Sequence, residues 1–192
     1  WGPVVLYGQS APISFANWWT RPQTGGGYGL QLRGIVRSYA DSVTMTGYAL
    51  GNAGWAIHQV AGAPIEAAKK VTMTGIGTLG AVYLIDGVTA TGDVIIDGLT
   101  TNVASNWSVR LGAPTKTIWS KAGNIGITGQ SGGWGLYVNT NILAGDAATP
   151  TSGGSVSLSG KSESAADTRA GLNLEAGQTV TAWGPIIVYG QV

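Results

Sequence analysis

A short phrase of sequence occurs seven times along this chain and leaves few folds open to it. Four residues of alternating character lead into a glycine: VVLYG ends at Gly8, VTMTG at Gly47 and again at Gly75, VIIDG at Gly98, IGITG at Gly129, VSLSG at Gly160 and IIVYG at Gly190. Successive glycines stand 39, 28, 23, 31, 31 and 30 residues apart. Four positions before each glycine the residue is Val4, Val43, Val71, Val94, Ile125, Val156 or Ile186. Two positions before it stands Leu6, Met45, Met73, Ile96, Ile127, Leu158 or Val188. Apolar residues recurring with period two describe a strand with one buried face.

Each interval holds two further short strands of the same kind. The second carries Leu30/Leu32, Trp55/Ile57, Val82/Leu84, Val109/Leu111, Leu136/Val138 and Leu172/Leu174; the third carries Ile65/Ala67, Val88/Ala90, Ile118/Ser120, Ile142/Ala144 and Val180/Ala182. Three strands per interval, separated by Gly, Asn, Ser and Thr turns, make the coil of a parallel β-helix. Its inward residues stack in ladders and Gly8, Gly47, Gly75, Gly98, Gly129, Gly160 and Gly190 are expected to end strands at corners, where positive φ angles fall. An ordinary β-sandwich or antiparallel barrel also shows short strands at regular spacing, but gives no reason for one glycine to return in one phase. The only window with helical character is 64–70, which excludes a helical solenoid. The sequence does not itself fix the hand of the coil, which is taken as right-handed from the general rule for parallel crossovers. The expectation is therefore all-β: a right-handed parallel β-helix of about six coils of three short strands, with loop insertions at residues 9–28 and 145–154.

A longer repeat contains the short one. Residues 1–9 read WGPVVLYGQ and residues 183–191 read WGPIIVYGQ, six identities in nine with aliphatic exchanges at the rest. The offset, 182 residues, spans six intervals. Residues 1–182 therefore read as one six-coil unit and residues 183–192 as the start of a next copy, or a closing strand in phase with residues 1–10. At about 4.8 Å per coil one unit advances roughly 29 Å. The chain opens on Trp1 rather than Met, as a processed product or a piece of something longer would.

Composition narrows the partners. Net charge is +1 and only 10% of the 192 residues are charged, which removes the basic field that nucleic acid or an anionic membrane surface needs. No apolar run reaches the roughly 18 residues of a spanning helix, so neither nucleic acid nor membrane insertion is expected. Hydrophobic residues at 44% argue against disorder. There is no Cys, hence no disulfide framework and no thiolate metal site.

Two segments, VTMTGIGTLGAVYLIDGVTATG over 71–92 and GNIGITGQSGGWGLYVNTNILAG over 123–145, resemble the repeats of filamentous-haemagglutinin-type adhesins. Those repeats run from an alternating strand and glycine, through a Ser/Thr/Gly turn, to a Gly-Leu/Val-x-Leu/Val strand and an Ile/Val-x-Ala-x-Gly strand. The resemblance covers residues 43–190 and is poorest over 9–28. Longer coils, eight Trp and near-identical segments 182 residues apart set this chain apart. What the resemblance implies is a giant bacterial surface or secreted exoprotein.

Chemistry-bearing residues are few. His58, the single histidine, alternates with inward Trp55 and Ile57 and so points outward, with no Cys and no Gly-x-Ser-x-Gly elbow to work with. Asp86, Asp93 and Asp97 fall in one coil, where paired carboxylates serve acid–base chemistry or hold Ca²⁺, although Asp-Gly is ordinary turn chemistry. Thr44/Thr46 and Thr72/Thr74 stack as on an ice-binding face, but the ladder breaks at Ile95/Asp97. No enzyme, metal or cofactor is expected. Aromatic residues are the candidate contact surface: Trp18, Trp19, Arg21 and Tyr28 around the longest insertion, and Tyr7 and Tyr189 on the terminal strands, since Trp and Tyr dominate binding hot spots. The expected role is that of an adhesive rod on a bacterial cell surface or outside the cell, with other copies of the repeat and host or matrix glycans and proteins as partners. The alternative is a self-assembling filament or biofilm-matrix subunit.

Overall fold

A computed structural model describes residues 2–10, 27–50, 54–102, 107–146, 148, 153–164 and 170–192. Strands follow one another in six coils. The first holds β1 (Val4–Ser10), β2 (Leu30–Leu32) and β3 (Val36–Ser38), and the second β4 (Val43–Ala49), β5 (Trp55–Gln59) and β6 (Ile65–Ala67). The third comprises β7 (Val71–Gly77), β8 (Gly80–Leu84) and β9 (Val88–Ala90), and the fourth β10 (Val94–Thr100), β11 (Trp107–Leu111) and β12 (Thr117–Ser120). The fifth is β13 (Ile125–Ser131), β14 (Trp134–Val138) and β15 (Asn141–Ala144), and the sixth β16 (Val156–Ser162), β17 (Leu172–Leu174) and β18 (Val180–Ala182). β19 (Ile186–Gln191) begins a seventh. The window 64–70 is not helical but holds β6.

Every third strand pairs with the next in parallel. Sheet A runs β1-β4-β7-β10-β13-β16-β19, sheet B β17-β14-β11-β8-β5-β2, and sheet C β18-β15-β12-β9-β6-β3. The chain is thus a right-handed parallel β-helix. Registers match the glycine spacing: Gly8 sits beside Gly47, then Gly75, Gly98, Gly129, Gly160 and Gly190. Inside, columns of like residues fill the tube. Val43, Val71, Val94, Ile125 and Val156 form one, and Met45, Met73, Ile96, Ile127 and Leu158 the next, all fully buried. Ile57, Val82, Val109 and Leu136 face them from sheet B, and Ile65, Val88, Ile118 and Ile142 from sheet C. Removing that much apolar surface from water is the main stabilising term of such a tube.

The recurring glycines do not stand at corners. Each is the fifth residue of its sheet A strand, with extended backbone continuing past it through Tyr48, Ile76, Leu99 and their equivalents. The reason is close approach. A Cβ on Gly75 would sit 2.6 Å from the Ala81 carbonyl oxygen, and one on Gly129 2.5 Å from that of Gly135; the corresponding atoms on Gly47 and Gly160 would collide with the Ala56 and Gly171 carbonyls. Sheets A and B therefore touch backbone to backbone along one line, and only glycine leaves room. Positive φ occurs, among the described residues, at Gly62, Gly145 and Gly177, all between strands.

Beyond that line the edge narrows to small side chains. Ala49 packs on Ala56, and Thr100 donates from Oγ1 to Ser131 Oγ at 2.6 Å. Polar side chains bridge coils at other corners. Gln59 donates through Nε2 to the Ala63 carbonyl and accepts from the Asp86 amide. Asp86 accepts from the amides of Gly62 and Gly87, 2.7 Å each, and pairs with Lys116 Nζ at 3.0 Å. At the far end of the tube β19 pairs with β16 on one side only, and its Ile186 and Val188 are 45% and 52% exposed.

Candidate functional site

Trp18, Trp19 and Arg21 lie outside the described residues. The other sequence candidates are on the page but not together. Tyr7 and Tyr189 occupy equivalent outward positions on β1 and β19, 64% and 53% exposed, and each donates its hydroxyl to the glutamine two residues on, Gln9 or Gln191. They are at opposite edges of sheet A, roughly 29 Å apart at the usual strand spacing. Tyr28 belongs to sheet B's edge, where its ring stacks on His58 with centroids 4.6 Å apart and planes 15° off parallel.

Tyr28 leads into a surface that sequence reasoning missed. On the outer face of sheet B, His58, Tyr83, Arg110 and Tyr137 occupy one position in consecutive coils. His58 lies 5.3 Å from Tyr83, and the Arg110 guanidinium sits over Tyr83 at 5.0 Å and over Tyr137 at 5.6 Å. A second column runs beside it: Trp55 packs on Tyr83 at 5.0 Å, while Trp107 contacts Trp134 at 4.6 Å and Tyr137 at 4.9 Å. Gly80 lies in this column under the Trp55 ring.

Trp55, read by phase as inward, is outward, and the strand's entry explains why. Ala56 and Ile57 are adjacent and both fully buried, so alternation slips by one where sheet B bends toward the glycine line. The same pair recurs at Ala81/Val82, Ser108/Val109 and Gly135/Leu136. Whatever precedes the pair is turned outside. Three tryptophans, each standing directly before a small residue and two before an inward aliphatic (Ile57, Val109 and Leu136), were the available signal.

Coil spacing, about 4.8 Å, is near the stacking distance of aromatic rings, so rings in one register cover each other's faces. The rings of the column lie against one another, with centroids 4.6 to 5.3 Å apart. Its chemistry is stiffening, with no acid–base pair. Burial, and Arg33 nearby, hold the His58 imidazole below its ordinary value of 6.5, so it is neutral at pH 7.

Asp86 and Asp93 serve the corners. Burial raises the Asp86 carboxyl, but the Gly87 amide, Lys116 and the Gly62 amide outweigh it and leave the group below its ordinary range. Asp93 accepts from the Asn124 amide at 2.9 Å, and Asp97 is exposed on β10. Among the described residues no three His, Asp or Glu side chains gather as metal ligands would. An open groove of about 460 Å³ on sheet C is lined by Arg37, Tyr39, Glu66 and Lys121, but Glu66 grips Arg37 in two bonds of 2.6 and 2.9 Å.

Connection lengths differ between the edges. Between sheets A and B the chain uses 11–29, 50–54, 101–106 and 163–171 in four coils but only 78–79 and 132–133 in two. Connections between B and C vary only from 139–140 to 60–64, and those between C and A are three or four residues long except for 145–155. Long connections thus recur on the edge beside the tryptophan column and occur once on the edge between sheets C and A. Comparison of the chain with protein-family models, curated proteins and solved structures finds no match.

Proposed function

We propose that this chain is a structural and adhesive rod segment of a long repetitive bacterial protein, held outside the cell or at its surface. The in-register β-helix, with long connections recurring on the edge between sheets A and B and one, 145–155, between sheets C and A, carries the reading. A tube whose register is set by core columns tolerates loops of different length at its edges, which suits a rod that displays contacts. The resemblance of residues 43–190 to filamentous-haemagglutinin-type repeats supports the same role. Recognition falls to the edge loops, Trp18 and Trp19 included, with matrix or host-surface glycans and proteins as ligands.

A second reading, a self-assembling filament or biofilm-matrix subunit, has its own support in the exposed Val5, Tyr7, Ile187 and Tyr189 on sheet A and in the scarcity of repelling charge. Negative-stain microscopy of the purified chain separates the two: single rods fit the first and ordered fibres the second. Beads coated with the chain should adhere to glycan- or matrix-coated surfaces, and Trp18→Ala with Trp19→Ala should weaken this while circular dichroism stays unchanged. Equal adhesion by the variant would remove the loop from the recognition role.

A further inference from the structure

The uncovered end made by β17, β18 and β19 is a docking face, and we infer that its occupant is the first coil of a second copy of this chain, joined through β19; this rests on the rod reading above. Three observations lead there. First, β19 lies on β16 with Gly190 beside Gly160, and its sequence matches that of β1 apart from three aliphatic exchanges; β1 lies on β4 with Gly8 beside Gly47. β19 therefore stands where a second copy's β1 belongs, leaving β17 and β18 for that copy's β2 and β3.

Second, the register is determined. Leu172 lines up through Leu136, Val109, Val82 and Ile57 with Leu30. Continuing the pattern places the incoming Leu30 on Leu172, Leu32 on Leu174 and Arg33 on Glu175. The residue after four of the sheet B strands donates its amide to the previous coil: Val60 to Leu32, Gly112 to Leu84, Asn139 to Leu111 and Glu175 to Val138. The incoming Arg33 amide would donate to Leu174. Leu174, 41% exposed here, would be covered.

Third, the two ends are complementary in charge. Residues 1–42 carry three Arg and one Asp, whereas residues 146–185 carry two basic and four acidic side chains. Opposite ends attract and like ends repel, which favours head-to-tail order.

The test is a tandem chain, residues 1–182 followed directly by 1–192. Small-angle X-ray scattering should show one rod about twice the length of the single chain, and amide exchange at Leu172–Leu174 of the first copy should slow relative to the single chain. Arg33→Glu in the second copy sets like charges together and should lower Tm by about 2–4 °C. In the first copy, where Arg33 faces solvent at the free end, it should change Tm little. Adding Glu175→Arg in the first copy should restore the second-copy variant. Two jointed bodies, unslowed exchange, an Arg33→Glu effect indifferent to copy, or a tandem that fails to fold while the single chain folds would each overturn the docking. The single chain's rod shape and adhesion would remain as separate tests of the rod reading.

Discussion

Gly75 on β7 and Gly126 on β13 both lie in sheet A, but only Gly75 is held to glycine by its neighbours. Gly75 faces the Ala81 carbonyl, with 2.6 Å left for a Cβ, whereas a Cβ on Gly126 meets nothing within 4 Å. Gly75→Ala should destabilise by about 1–3 kcal/mol, because the obstacle is backbone and cannot rotate away. Gly126→Ala should be neutral or stabilise by about 0.4–1 kcal/mol through the unfolded chain. Guanidinium titration of both variants checks the contrast; equal losses would mean that the glycine line is not a contact line. Asp86 is the other residue with a defined consequence. Its folded pKa lies below its ordinary value, so the unfolded chain binds more protons in the interval between them. Its contribution is present above about pH 4 and is lost as pH falls through the lowered folded value. Asp86→Ala should cost about 1–2 kcal/mol at pH 7 by stripping two amides of their acceptor, and should flatten the acid limb of a stability–pH curve.

For the strands of sheet B, the aromatic column predicts a collective effect. Trp107 touches two rings, Trp134 and Tyr137, so Trp107→Ala should lower stability by about 1–3 kcal/mol and abolish the exciton-coupled tryptophan signal in circular dichroism. An unchanged spectrum would mean that the rings are not stacked in solution. Pairing in sheet A was legible before any coordinates, since the intervals between glycines are the registers themselves. Strand β3 was not, because Val36 and Ser38 offer a single aliphatic residue and no alternation to read. The outward tryptophans were missed for a physical reason: Trp55 and Ile57 have the same parity, and only the packing of Ala56 against Ala49 breaks it. The glycines were found but given the wrong task, because a sequence marks where a side chain is missing without showing which neighbour forbids it. Most of the contact candidates sit on the longest connection, where no strand pattern constrains them.

Over the whole tube, stability should be graded along the axis. Each coil contacts only its neighbours, so protection adds up from nearest-neighbour terms and is weakest where one neighbour is absent. Hydrogen exchange should be slowest in β7, β8, β10 and β11, whose inward side chains are fully buried, and fastest in β19, where every residue is exposed. Uniform protection from β4 to β19 would contradict this. The single glycine column running from Gly8 to Gly190 has a consequence at the level of the gene. On the rod reading proposed above, recombination between the two Trp-Gly-Pro segments would add or delete six whole coils and leave each sheet in register across the joint. Rod length would then be a heritable quantity that changes in fixed steps.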